Sequence, residues 1–172
     1  MDKMTVQDVN SASEARAAEL LWEFCASSKW IEQMVARRPF ESRDEIFSAA
    51  REIWWSLDEK DWLEAFEAHP RIGAVNAERE SRRTQGWSTG EQAVVLTASL
   101  PVLIELDDVN RKYESRFDYT YIVCASGKSA EELLKIAKER LNNDPETEIK
   151  TAAEEQAKIT RLRLEKALQE DA

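Results

Sequence analysis

The chain has 172 residues, 42% of them hydrophobic and six of them tryptophan, which suits one domain with a single core and no staples. Its formal net charge of −10 argues against nucleic acid as a partner, because phosphate recognition rests on basic surface. A small anionic substrate stays open, since it needs only one or two local donors.

Helical periodicity dominates from the N-terminus. Leu20, Leu21, Phe24 and Cys25 recur at the spacing of one helical face, with Ser11 to Glu14 as a capping box. Trp30, Ile31 and Met34 predict a second short helix that closes before Pro39. Ser42-Arg43-Asp44-Glu45 is a further capping box, opening a helix in which Ile46, Ala49, Ile53, Trp54 and Leu57 share a face. Asp58 caps the next, which carries Trp62, Leu63 and Phe66 up to His69. The tryptophans at 54, 55 and 62 are read as core. From Arg71 to Trp87 the pattern lapses into polar residues, a length without periodicity that is uncommon in a compact domain and often functional.

Periodicity resumes at Ser88 and runs to Tyr113, with Pro101 predicting a kink or two abutting helices. Tyr119 to Val123 are aromatic or β-branched, so residues 119–125 are expected to be extended. No strand partner is evident elsewhere, which leaves backbone donors available for another use. Ser129 to Glu132 opens a helix to Leu141, and Asp144-Pro145 has the N-cap and N1-proline signature of a last helix reaching about Leu168. The expected fold is all-α, a multi-helix bundle in one domain over residues 1–172 with one short extended segment.

Few cofactor chemistries fit. Cys25 and Cys124 suggest no disulfide framework and fit a reducing compartment. With a single histidine beside them, no zinc or iron site of the nitrogen and sulfur kind can be assembled, and no metal is expected. Gly-x-Gly-x-x-Gly and Walker-type loops are absent. The first five residues form no apolar signal, and Glu170-Asp171-Ala172 is no peroxisomal address. Residues 93–106, the most apolar stretch, are too short to span a bilayer. A cytoplasmic protein without a membrane partner is expected.

The polar motifs each have two readings. His69, the only histidine, stands in His69-Pro70-Arg71-Ile72-Gly73 at the end of a predicted helix. Imidazole titrates near neutrality and suits proton transfer at pH 7, but a histidine here also serves as a favourable helix C-terminal cation. Ser88-Thr89-Gly90-Glu91-Gln92 is a capping box by pattern. It also puts Ser88, Glu91, Gln92 and the amides of a first turn where an anion or carbonyl oxygen would bind. Arg161 and Arg163 read as solvated charges, and Leu162 and Leu164 between and after them allow at most one to reach a pocket.

Taken in order, these pieces resemble the 2-oxo-4-hydroxy-4-carboxy-5-ureidoimidazoline (OHCU) decarboxylase family of urate degradation. The resemblance rests on five motifs over most of the chain: His69-Pro70-Arg71-Ile72-Gly73, Ser88-Thr89-x-Glu91-Gln92, Tyr121 to Ala125 with Gly127-Lys128-Ser129, Arg140-Leu141-x-Asn143, and Lys158-Ile159 with Leu162-Arg163-Leu164. It implies an all-helical, cofactor-free homodimer that converts a small ureidoimidazoline to (S)-allantoin and CO2. By the same resemblance His69 and Glu91 would be catalytic. Pro70, Ser88, Gln92, Arg163 and the backbone of Ile122, Val123, Cys124 and Ala125 would line the substrate. The chain departs from the family pattern at Val94-Val95, at Tyr119 and Tyr121, and in the charged loop after Gly73. The alternatives are a non-catalytic helical interaction domain and a related lyase or hydrolase acting on another ureide.

Overall fold

A computed structural model describes residues 3–72 and 98–169, and eight α-helices lie within them. They are α1 (Val6–Ser11), α2 (Glu14–Trp22), α3 (Ser28–Ala36), α4 (Arg43–Ser56), α5 (Glu59–Glu67), α6 (Leu100–Phe117), α7 (Ala130–Arg140) and α8 (Pro145–Ala167). Among the described residues there is no strand, and the fold is all-α as the periodicity predicts. A lone parallel bridge joins Met4 to Leu168. The chain divides into two compact units, residues 1–68 with 157–172 and residues 69–156.

The first unit is built from short, individually capped helices. Thr5 and Asp8 form a reciprocal box on α1: the Thr5 amide donates to Asp8 Oδ2 at 2.8 Å and the Asp8 amide to Thr5 Oγ1 at 3.2 Å. The Thr5 backbone and hydroxyl hold the Asp8 carboxyl below its ordinary pKa. Ser13 caps α2, and Ser11 instead closes α1 by donating its hydroxyl to the Gln7 carbonyl at 2.8 Å. The capping box expected over Ser11 to Glu14 does not form, because a short helix already occupies 6–11, and a simple serine cap two residues on opens α2 instead. Ser27, Ser42 and Asp58 open α3, α4 and α5.

These helices bury one apolar face each. Trp30 and Met34 of α3 are fully buried, and the Trp30 indole donates to the Ala50 carbonyl of α4 at 3.0 Å. Ile46, Ala49, Ile53, Trp54 and Leu57 are all buried, as their spacing predicts. The tryptophan reading holds only in part. Trp54 is buried, Trp62 is half-buried and donates to the Trp54 carbonyl at 3.0 Å, and Trp55 is 41% exposed. Adjacent helical residues point about 100° apart, so Trp54 and Trp55 cannot both face one core.

The second unit centres on α6, α7 and the first part of α8. Pro101 stands in the first turn of α6, so it opens a helix there rather than kinking one. The helix runs to Phe117, beyond the expected Tyr113, and stops at Asp118, whose φ of 62° is a left-handed cap. Leu106, Tyr113 and Phe117 meet Leu133 and Ala137 of α7 in one cluster with Tyr121, Val123 and Ala125. Ser129 and Glu132 form a reciprocal box on α7. Asp144 opens α8, its Oδ1 accepting from the Thr147 amide at 2.9 Å.

Candidate active site

His69 comes directly after the C-cap of α5, Ala68, and is buried. Local geometry accounts for its position. Pro70 disfavours helical backbone at the residue before it, so the helix ends there. The next two residues are then fastened to α6. Arg71 makes a forked ion pair with Glu114, with Nε donating to Oε1 at 2.6 Å and Nη2 to Oε2. The buried side-chain amide of Asn110 donates to the Ile72 carbonyl at 2.6 Å. The Ile72 side chain enters the cluster that also contains Val123 and Ala125. Asn110 and Glu114 lie four residues apart, one turn of helix, and so share a face.

Residues 121–125 carry no regular secondary structure, and all five are buried. Charged side chains hold this segment. Arg140 Nη1 donates to the Ile122 carbonyl at 2.7 Å, the Cys124 amide donates to Glu155 Oε2 at 2.8 Å, and Lys128 Nζ donates to the Cys124 carbonyl at 2.7 Å. No described residue bonds the amide or the carbonyl of Val123, or the amides of Ile122 and Ala125. The expectation that this backbone keeps free donors is met at those positions. It fails at Cys124, where Glu155 takes the amide.

Arg140 reaches Ile122 from a buried ion pair. Its Nε and Nη2 donate to Glu148 Oε1 at 2.8 and 2.5 Å, Tyr113 donates its hydroxyl to the same oxygen, and Asn143 donates to Glu148 Oε2 at 2.7 Å. The guanidinium also lies 5.0 Å from the centre of the Tyr121 ring. Burial pushes the Tyr113 and Tyr121 phenols well above their ordinary pKa, so both remain neutral donors. For Arg140 burial acts to lower the pKa, but the Glu148 bond and nearby groups outweigh it and the net shift is upward.

In the first unit Arg163 is buried and Arg161 exposed, in keeping with the reading that at most one of the two points inward. Arg163 Nη1 donates to the Phe24 carbonyl at 3.2 Å, and Thr160 shares that acceptor at 3.4 Å. Burial raises the Cys25 thiol to about 12, which makes it an inert apolar group. Ser88, Glu91 and Gln92 lie outside the described residues. His69, Pro70 and Ile122 to Ala125 belong to one compact unit, and Arg163 to the other. Pro70 is half-buried.

The sequence reading missed Asn110, Glu114 and Glu148. Asn110 had a visible signal, since it interrupts the apolar stripe of Leu106, Tyr113 and Phe117. Among the described residues no group of three or more histidine, cysteine, aspartate or glutamate side chains is gathered as a metal site requires. No described helix is long and apolar enough to cross a membrane.

An all-helical chain with one buried histidine at a helix end, and open backbone groups at Ile122, Val123 and Ala125 in the same unit, defines a scaffold for side-chain and main-chain chemistry. Comparison with known proteins narrows that class. The family model of OHCU decarboxylase matches residues 10–165, and the chain belongs to the OHCU decarboxylase family. It is 39% identical over 150 residues to the Uric acid degradation bifunctional protein TTL of Arabidopsis thaliana, covering 86% of this chain but only 46% of that one. The chain thus spans less than half the length of that relative. A 2-oxo-4-hydroxy-4-carboxy-5-ureidoimidazoline decarboxylase of Haloferax volcanii is 26% identical over 167 residues, covering 95% of this chain and 96% of that one. Among solved structures, an OHCU decarboxylase crystallised in the presence of (S)-allantoin is 35% identical with a TM-score of 0.72, covering 90% of this chain and 97% of the other.

Proposed function

We propose that this chain is an OHCU decarboxylase, releasing CO2 from 2-oxo-4-hydroxy-4-carboxy-5-ureidoimidazoline and protonating the product stereospecifically to (S)-allantoin. The observation that carries the reading is the likeness over 97% of the chain of a decarboxylase crystallised with that product. The buried His69 after α5 and the unpaired backbone around Val123 support it.

The chemistry needs no more than such a site offers. The substrate carries a carboxylate and a hydroxyl on one ring carbon, next to an imine carbon. When the bond to the carboxylate breaks, its electron pair forms a ring double bond, and the imine pair moves to nitrogen, which takes a proton. The enol then becomes a carbonyl as the carbon bearing the ureido group takes a proton from one face. The substrate is its own electron sink, so the protein has to orient the ring, stabilise the shifting charge and deliver that proton.

In this reading His69 delivers the proton, and Glu91 polarises the hydroxyl or orients the imidazole. Ser88 and Gln92 hold the ring and the ureide, Arg163 pairs with an anionic oxygen, and the Pro70 carbonyl adds a main-chain acceptor. Of the extended segment, Val123 with the amides of Ile122 and Ala125 meets the ligand. Cys124 lines the site while Glu155 and Lys128 fix its peptide groups. A buried peptide group without a partner is costly, and a ureide edge offers the complementary donors and acceptors. The family match runs through both compact units, which supports residues 1–172 acting as one domain. The working assembly is a cytoplasmic homodimer, to be checked by light scattering of the purified protein.

The test is a coupled assay in which the unstable substrate is generated from urate and the chirality of the allantoin is followed. An enzyme of this kind gives (S)-allantoin faster than the spontaneous reaction. Racemic product at the spontaneous rate would sink the proposal.

A further inference from the structure

His69 directly follows the C-cap of α5, and the chain just after it is fastened to α6. Within three residues of the imidazole, three separate contacts meet that helix and its cluster: the Arg71 fork on Glu114, the Asn110 amide on the Ile72 carbonyl at 2.6 Å, and the buried Ile72 side chain. Asn110 is 1% exposed in a stripe that is otherwise apolar. A buried amide is costly unless it is hydrogen-bonded, and the Ile72 carbonyl is its acceptor.

We infer that Asn110 and the Arg71–Glu114 pair are positioning residues for His69, clamping the backbone after it onto α6 and thereby fixing where the imidazole stands. The inference rests on the reading of His69 as proton donor. The three groups act through the chain and are not required to touch substrate. Bidentate geometry matters because a fork fixes orientation as well as distance. A displacement of about 1 Å at a reacting group costs up to about a hundredfold in rate.

The single histidine makes this testable without ambiguity, since the imidazole 15N and 13Cε1–1H resonances of the intact protein belong to one residue. Arg71→Met and Asn110→Leu are expected to move or broaden those resonances. They should also lower kcat by about tenfold to a hundredfold with KM within about twofold, and reduce the excess of (S)-allantoin. Circular dichroism and thermal unfolding establish that each variant is folded. The double variant Arg71→Glu with Glu114→Arg reverses the pair and is expected to recover part of the kcat lost by either single change, a rescue that a merely structural loss would not give.

Imidazole resonances that coincide with those of the unmodified protein in both Arg71→Met and Asn110→Leu would overturn the clamp. So would a fall confined to KM. If the unmodified chain itself gives racemic allantoin, the decarboxylase reading fails, and the resonances still decide whether α6 fixes the imidazole.

Discussion

Arg140 and Arg163 are buried to nearly the same degree, at 6% and 8% exposure, in different compact units and by different means. Arg140 is matched to a carboxylate, with two nitrogens on Glu148 Oε1 and a third on the Ile122 carbonyl. Its charge is cancelled where it stands, and the pair ties α7, α8 and the extended segment together. Arg163 donates Nη1 to the Phe24 carbonyl, an acceptor it shares with Thr160. The first arginine is a structural tie, and the second is the one proposed to meet an anionic oxygen of the substrate.

The largest effect expected lies in the unit that holds both His69 and the Arg140 tie. His69→Asn should leave the protein folded and abolish the accelerated, stereospecific formation of allantoin, a loss of about 10²- to 10⁴-fold for a missing general acid. Near-normal turnover would end the proposed role of His69. Arg140→Met should act on stability instead. Leaving Glu148 charged, buried and without its partner costs about 3–5 kcal/mol, to be read from urea unfolding. Unchanged stability would show that the pair is no structural tie.

Arg163→Met sharpens the contrast from the other side. A charge-assisted contact to an anionic oxygen is worth about 1.5–3 kcal/mol, so kcat/KM should fall by about tenfold to a hundredfold. If Arg163→Met instead unfolds the protein while Arg140→Met only slows it, the two arginines have been assigned the wrong way round.

The same contrast shows which features the sequence makes legible. Helix faces were readable because apolar spacing follows the helical period, and Ile46, Ala49, Ile53, Trp54 and Leu57 fell inward as predicted. The leucines at 162 and 164 showed that at most one of Arg161 and Arg163 points inward, and the family resemblance, not the spacing, picked Arg163. The Arg140–Glu148 pair was not readable. Its members are eight residues apart on separate helices, and two of its partners, Tyr113 and Ile122, lie still farther off in the chain. Neighbouring charges along a sequence say little about which ion pairs become buried. The break in helix at residues 121–125 was visible in their aromatic and β-branched character, but Glu155 on the Cys124 amide was not, because it comes from the long helix α8. The caps at Ser42, Asp58, Ser129 and Asp144 were legible to the residue, and the one at Ser11 was missed by two, since Ser13 caps α2.

The smallest effect expected tests that last ambiguity. Ser-x-x-Glu recurs along the chain, and pattern alone cannot separate a helix start from a substrate contact. At Ser129 the cap is explicit: the Glu132 amide donates to its hydroxyl at 3.2 Å, and its own amide donates to Glu132 Oε2 at 2.7 Å. Ser129→Ala should therefore cost about 1 kcal/mol of unfolding free energy and leave kcat/KM unchanged. Ser88 carries the same pattern but is proposed to hold the ring. Ser88→Ala should raise KM by about tenfold, the worth of one hydrogen bond to substrate. Equal kinetics for the two variants would reduce Ser88 to a cap, and would leave the substrate to be held by Gln92, Arg163 and the open backbone of Val123.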